Sequence, residues 1–115
     1  MSYMSEAAHK SRRSNITDEA RLEDHARLEG LAWLHNRSIA RGRSRVGKFA
    51  QLYDDSIVEG HARLLDHALV EGHTVLSGRV KVDGRTRVSG KSKLEGDVTI
   101  SSGYIRDVHW WRDVP

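Results

Sequence analysis

The chain has 115 residues, a length that suits one domain and excludes two of ordinary size. It contains no cysteine, which excludes disulfide bonds and thiolate chemistry, and it has no run of the roughly 18 apolar residues that a membrane span requires. The 19 basic and 16 acidic residues are intermixed, so the net charge of +3 indicates a nucleic-acid surface only if the cations gather on one side of the fold.

The first segment, MSYMSEAAHKSRR (residues 1–13), is polar and basic and lacks the apolar stretch of a secretion signal. We predict an N-terminal cap that is ordered only in part, in which SEAAHKSRR could form a short helix. Such a cap would cover the first edge of the structure that follows, because an open strand edge invites further pairing.

Residues 14–103 form fifteen six-residue units whose register never shifts. In each unit the first residue is Ser, Ala, Thr or Val, and the third is Ile, Leu or Val except at Ala40. These positions alternate with a variable second one, as in a strand with one buried face. When every third unit is aligned, the third positions form three aliphatic columns. The columns are Ile16, Leu34, Leu52, Val70, Val88; Leu22, Ala40, Val58, Leu76, Leu94; and Leu28, Val46, Leu64, Val82, Ile100.

The fourth to sixth positions of each unit collect polar residues and glycine, which is typical of corners. Glycine recurs at the fifth position, and Asp24, Asn36, Asp54 and Asp66 take that place elsewhere. These are the residue types that adopt a positive φ at least cost. Three strands joined by three such corners close a triangle, so that three units make one coil. We therefore predict a parallel β-helix of about five coils, stacked at about 4.8 Å.

The units LEDHAR, LEGLAW, VEGHAR and VEGHTV resemble the hexapeptide repeat of left-handed parallel β-helix proteins. The resemblance extends over residues 14–103, and it is more specific for fold than for function. It implies an all-β chain with a single left-handed parallel β-helix, a triangular solenoid, between short caps at residues 1–13 and 104–115.

Second-position residues point outward, and each flat side of the triangle carries a different set. Side one carries Asn15, Trp33, Gln51, Leu69 and Arg87, to which we assign no role.

Side two carries Arg21, Ile39, Ile57, Val75 and Lys93, an apolar stripe between charges. Part of this stripe reflects the ordinary preference of β-branched residues for strands. An exposed apolar row also marks association, so we predict a homo-oligomer interface at Ile39, Ile57 and Val75. The resemblance implies that the oligomer is a trimer.

Side three carries a ladder of cations, namely Arg27, Arg45, Arg63 and Lys81, followed by Thr99. Three interpretations stay open: a solvated face that Glu29 and Asp83 partly neutralise, a site for an acidic protein, and a nucleic-acid site. The strand spacing fits the roughly 7 Å pitch of a nucleic-acid backbone poorly, and no aromatic residue interleaves with the ladder. A protein partner is therefore favoured over a nucleic acid.

The last segment, YIRDVHWWRDVP, differs from the repeats and contains two of the three tryptophans. One interpretation is a cap that lays Tyr104, Ile105, Val108, Trp110 and Trp111 over the last coil. The other is a partner-binding tail, because tryptophan and arginine are frequent interface anchors.

His61, His67 and His73 are spaced six residues apart, which places them at successive corners of one coil. One chain cannot bring them onto a single ion, so we predict no metal. The resembled family includes acyltransferases with an extruded active-site loop and carbonic anhydrases that bind zinc through histidine. The unbroken register leaves no such loop, so we predict no cofactor and no enzyme activity.

We therefore expect a non-enzymatic structural or protein-binding β-helix. It resembles small repeat proteins of bacteria and phages, which implies a virion component or an inhibitor of a host protein, with a cytoplasmic or virion-associated location and no membrane partner. A minimal acyltransferase or carbonic-anhydrase-like enzyme assembled at a trimer interface is one alternative, and nucleic-acid binding through the ladder is another.

Overall fold

The computed structural model describes residues 3–106 and the backbone of residues 109–110. Every regular element in these residues is a β-strand, and most strands are two residues long and recur at intervals of six. The strands are β1 (Tyr3–Met4), β2 (His9–Lys10), β3 (Asn15–Ile16), β4 (Arg21–Leu22), β5 (Arg27–Leu28), β6 (Trp33–Leu34), β7 (Ile39–Ala40), β8 (Arg45–Val46), β9 (Gln51–Leu52), β10 (Ile57–Val58), β11 (Arg63–Leu64), β12 (Leu69–Val70), β13 (Val75–Leu76), β14 (Lys81–Ser89), β15 (Lys93–Leu94), β16 (Thr99–Arg106) and β17 (His109–Trp110).

Each strand pairs in parallel with the strand one coil further along the chain. Ile57 pairs with Ile39 on one side and with Val75 on the other, so one coil contains three units. Side two is the ladder β1-β4-β7-β10-β13-β15-β17. Sides one and three join into a second sheet because β14 and β16 each continue around a corner. The predicted fold class is confirmed as a parallel β-solenoid, with about six coils rather than five.

The additional coil comes from the N-terminal segment. Strands β1 and β2 pair in register with β4 and β5. The N–H of Tyr3 donates to the carbonyl of Ala20 at 3.0 Å, and the N–H of His9 donates to that of Ala26 at 3.0 Å. Their composition led us to predict a cap with a short helix, and this prediction is wrong for residues 3–13, which form strands of the solenoid wall. The open edge of the next coil offers hydrogen bonds that a short isolated helix could not match.

The C-terminal segment also continues the wall of the solenoid. Strand β16 pairs with β14, so that Tyr104 lies beside Arg87 and Ile105 beside Val88, and β17 pairs with β15. Tyr104 and Ile105 thus extend side one and do not lie over the last coil as a cap. Trp110 contributes only backbone to this description, and Val108 and Trp111 lie outside the described residues.

The interior consists of the predicted aliphatic columns. Leu22, Leu34, Leu52, Leu64 and Leu76 are wholly buried, and the small first-position residues are buried between the columns. At the terminal coils Ile16 and Ile100 are only partly buried. Each inward leucine in the middle coils therefore stacks on aliphatic residues both above and below it, with little space for a larger or polar side chain.

The corners have the predicted backbone conformation. Asp24, Asn36, Asp54 and Asp66 all have a positive φ, as does Lys48, which the residue types did not indicate. The corner carboxylates and amides also link the coils, because each accepts a backbone N–H from the coil above. These bonds run to Asp18 from Asn36 (3.2 Å), to Asp24 from Gly42 (3.1 Å), to Asn36 from Asp54 (3.0 Å), to Asp54 from Gly72 (3.0 Å) and to Asp66 from Gly84 (3.0 Å).

Candidate binding surfaces

Each side of the solenoid presents three columns of outward side chains. They come from the sixth position of the preceding unit and from the second and fourth positions of the unit itself, which alternate with the inward first and third positions. The sequence prediction used only the second column, so the other two add residues to every face. The sixth-position columns are Arg13, Leu31, Phe49, His67, Arg85 on side one; Glu19, Arg37, Asp55, His73, Lys91 on side two; and His25, Arg43, His61, Arg79, Asp97 on side three.

Side two contains the predicted stripe of Ile39, Ile57 and Val75. The three residues are stacked in register and remain partly exposed. Charged residues flank the stripe on both sides and pair with one another. Arg41 binds Glu59 at 2.7 Å, for example. Arg21 binds Glu23 at 2.6 Å, and Arg37 approaches Glu19 at 4.0 Å. Side two is therefore an apolar stripe between rows that are largely neutralised within the chain.

Side three is more basic than its second column alone indicated. Arg27, Arg45, Arg63 and Lys81 stack in register as predicted, and the adjacent sixth column adds two arginines. We call this surface the basic face; it consists of Arg27, Arg43, Arg45, Arg63, Arg79 and Lys81.

Carboxylates neutralise only part of the basic face. Glu29 lies 3.7 Å from Arg27 and 3.6 Å from Arg45, and Asp83 lies 3.7 Å from Lys81. The other members have no carboxylate within ion-pair distance among the residues that the structure describes. These unpaired cations are Arg43, Arg63 and Arg79.

Two of the unpaired cations, Arg63 and Arg79, line an open cleft of about 390 Å³. Arg63 and Lys81 line one side of it, and His61 and Arg79 line the other. Thr99 and Asp97 also line it, so the cleft contains one carboxylate. The basic columns therefore enclose a concave surface that an anionic group can enter between two cations.

Side one carries a group of aromatic and apolar side chains that the prediction missed. We call it the aromatic face; it consists of Leu31, Trp33, His35, Phe49, Tyr53, His67 and Leu69. The rings of Trp33 and His35 stack with centroids 4.9 Å apart, and those of His35 and Tyr53 stack at 4.3 Å. Phe49 stacks on His67 at 5.0 Å. The signal was present in the sequence, because Leu31, Phe49 and His67 follow one another at intervals of one coil.

Beyond the aromatic face, side one ends in a charged pair. The Glu71 carboxylate binds Arg87 through Nε at 3.0 Å and Nη2 at 2.5 Å, which raises the pKa of the guanidinium. Tyr104 follows, 57% exposed, with its ring 5.4 Å from the Arg87 guanidinium. Ile105 packs partly against the core. Of the predicted C-terminal residues, Tyr104 therefore belongs to the surface of side one and Ile105 to its wall.

The three histidines in series lie on three different sides. His61 lines the cleft of side three, His67 stacks on Phe49 of side one, and His73 lies 3.7 Å from Asp55 on side two. Among the described residues, no three His, Asp or Glu side chains come close enough together to hold a metal ion. The described part of the chain contains no helix, and therefore no helix long and apolar enough to cross a membrane.

Comparison with protein-family models, with curated proteins and with solved structures finds no match for this chain. The repeat and the fold define the class as a parallel β-solenoid.

Proposed function

We propose that this chain is a non-enzymatic, protein-binding β-helix that holds an acidic surface of a partner protein on its basic face. The supporting observation is the set of three arginines, Arg43, Arg63 and Arg79, that have no carboxylate partner in residues 3–106. Each of the other cations of the basic face has a carboxylate within ion-pair distance.

Electrostatic repulsion makes the unpaired cations a natural place for anions. Arg63 stacks between Arg45 and Lys81, and like charges at the strand spacing of about 4.8 Å repel each other by about 1 kcal/mol in water and by more near a protein surface. A row of partner carboxylates would relieve this repulsion and gain charge-assisted hydrogen bonds to the guanidinium groups. Because the strands fix the positions of these cations, the repulsion is already present in the free chain. Binding of anions relieves it and therefore favours the complex.

A protein partner fits this surface better than a nucleic acid. Proteins that bind single-stranded nucleic acids without sequence preference combine cations with aromatic side chains on which the bases stack. The basic face contains no aromatic residue, since Trp33, Phe49 and Tyr53 all lie on side one. The cations are also spaced more closely than successive phosphates.

We further propose that the chain forms a homo-oligomer, with a trimer favoured, through Ile39, Ile57 and Val75. The partly exposed, in-register stacking of these residues supports the proposal. The resemblance to hexapeptide proteins of bacteria and phages suggests a virion component or an inhibitor that occupies a host protein. A stiff body of 39 × 21 × 20 Å with unlike sides suits either role.

Fluorescence anisotropy with two labelled probes tests the basic face. A polyglutamate peptide represents an acidic protein surface, and a short single-stranded DNA represents a nucleic acid. We expect polyglutamate to bind, to weaken with added salt, and to lose at least about tenfold in affinity in the variant Arg63→Glu/Arg79→Glu. Arg37→Glu is the matched control, because Arg37 is 73% exposed and lies on side two.

The pattern of binding decides between the interpretations. Tighter binding of DNA than of polyglutamate, lost in the same variant, would replace the protein partner by a nucleic acid. Binding of neither probe, or an equal loss in Arg37→Glu, would leave the basic face as an ordinary solvated surface and refute the proposal.

A further inference from the structure

The aromatic face is unusual because its apolar side chains point away from the core. Five large hydrophobic side chains are exposed in the described residues, and two of them, Leu31 and Phe49, belong to the aromatic face. Phe49 is 49% exposed. Trp33 and Leu69 lie beside them and are only partly buried. Contiguous apolar surface of this kind marks an association site.

The stacking of the rings indicates what kind of ligand they can contact. Trp33, His35 and Tyr53 stand nearly parallel, with interplanar angles of 16° and 5°. His35 stands between Trp33 and Tyr53, so both of its faces and one face of each neighbour are covered. The stack therefore offers a ligand more ring edges than open ring faces. Nucleic-acid bases need an open aromatic face on which to stack. Ring edges and leucine methyl groups instead suit the apolar side chains of a protein.

The aromatic face is continuous with the basic face across one corner of the triangle. Gly47 lies between Arg45 on side three and Phe49 on side one. A Cβ atom at Gly47 would lie 3.3 Å from Cδ2 of Leu65, so the leucine side chain covers the glycine. Leu65 thereby places an apolar side chain on side three, across the corner from the aromatic face. Lys48, at the corner itself, adds a further cation.

The carboxylates near this corner are already neutralised. Glu29 lies between Arg27 and Arg45. Asp66 accepts the N–H of Gly84 and binds Lys48 at 3.3 Å, which together lower its pKa. A ligand at the corner therefore meets apolar side chains beside Arg63, which is unpaired, and Arg45, which shares Glu29 with Arg27. Within residues 3–106, each carboxylate that borders this corner has a cation within ion-pair distance. Charge complementarity selects a ligand that carries acidic groups beside apolar ones.

We propose that sides one and three form a single docking surface around their shared corner, for a protein segment that carries acidic side chains beside apolar ones. Phe49 and Leu31, with Leu65 across the corner, receive the apolar side chains, and Arg45 and Arg63 receive the carboxylates. This inference rests on the proposed function of the basic face and specifies the partner. A stable interface needs roughly 800 Å² from each partner, and two adjacent sides of a rod 39 Å long provide an area of that order.

Two synthetic peptides of equal length and equal charge test the inference. One alternates Glu with Phe, and the other alternates Glu with Ser. Anisotropy with the wild-type chain should show the Glu/Phe peptide binding at least about tenfold more tightly, because only this peptide buries aromatic rings. Phe49→Ala should remove the difference and leave the Glu/Ser affinity unchanged. Tyr3→Ala is the matched control, since it removes an aromatic side chain of nearly equal exposure, 47%, from side two.

The two proposals fail in different ways in this experiment. If neither peptide binds, the basic face has no affinity for carboxylates and the proposed function fails. If both bind equally well, or if Phe49→Ala has no effect on the difference, the basic face stands and the combined surface does not. Circular dichroism with thermal unfolding checks that the Phe49→Ala variant folds.

Sedimentation velocity examines the competing occupant, a second copy of the chain. We expect Phe49→Ala to leave the sedimentation coefficient of the unliganded protein unchanged. A shift from oligomer to monomer in this variant would assign the aromatic face to self-association and overturn the proposal.

Discussion

The inside and the outside of this solenoid follow different rules. Inside, every coil repeats the same small set of aliphatic residues, and Leu52 in one coil meets nearly the same environment as Leu34 or Val70 in its neighbours. Outside, the same six-residue period carries an aromatic face, an apolar stripe and a basic face. The third position therefore determines the fold, and the second, fourth and sixth positions are free to differ between the sides.

Matched leucines inside and outside side one should separate these two roles most strongly. Leu52 is wholly buried, whereas Leu69 points outward and is partly exposed. Leu52→Ala should lower the free energy of unfolding by about 2–5 kcal/mol, because it leaves a cavity between stacked coils. Leu69→Ala should lower it by less than about 1 kcal/mol. Urea denaturation measures both, and similar losses would contradict the division between inside and outside.

The corners should show an intermediate effect. Gly72 has a φ of +75°, and a Cβ atom there would lie 2.5 Å from the carbonyl oxygen of Gly90. Gly72→Ala should cost about 1 kcal/mol for the backbone conformation alone, and more for the forced separation of two coils. Gly103→Ala is the control, because its φ is also positive and no heavy atom lies within 4 Å of the added carbon. Equal denaturation midpoints for the two variants would show that the spacing of the coils can adapt at no cost.

A smaller effect, dependent on pH, is expected at Asp66. The N–H of Gly84 and the Lys48 ammonium group lower the pKa of this carboxyl in the folded chain. Its ionised form therefore stabilises the fold above the pKa of the unfolded chain, and this contribution is lost as the pH falls through the folded value. Asp66→Asn keeps an oxygen that can accept the same bond, as Asn36 does from Asp54.

The Asp66→Asn variant should be slightly less stable than the wild type at neutral pH and equally stable in acid. Urea midpoints measured across this pH range provide the comparison. A difference that grows on acidification would contradict the assigned role of the carboxylate.

A small effect on the stability of the separate monomer, about 1 kcal/mol or less, is expected at the side two stripe. Ile57→Asp leaves the core intact, but it places a charge in the proposed oligomer interface. The sedimentation coefficient should fall from that of the oligomer to that of the monomer. A wild-type chain that is already monomeric would remove the oligomer proposal, and an oligomer that survives Ile57→Asp would move the interface to another side.

The sequence predicted the interior and the corners, because their requirements recur in every unit. It did not predict the N-terminal coil, although Ala8 lies in register with the first positions of the later units. The third position of that unit is Lys10, which is not aliphatic. An end coil tolerates it because the side chain is partly exposed, and its Nζ reaches the carbonyl of Ser11 at 3.4 Å.

The binding surfaces were predicted only in part. The ladder and the stripe were visible in the second column, but the stacking of Phe49 on His67 and the cleft beside Arg79 depend on side chains in neighbouring columns. Whether Arg63 lacks an acidic neighbour depends on rotamers, and these cannot be obtained from spacing. The sequence therefore identified the columns, and only the structure showed which charges remain unpaired.

The constant register of three units per coil fixes the side on which each residue lies. Inserting one whole coil would lengthen every face by about 4.8 Å and leave each residue on its own side. Inserting a single residue within a strand would turn the core residues that follow it in that strand outward. The corners can absorb such a change: Tyr104 pairs with Arg87 at one residue less than a full coil, and His109 pairs with Lys93 at two residues less. Ile105 nevertheless stays in register with Val88 and packs against the core. The length of a corner can therefore vary without loss of the division between inside and outside.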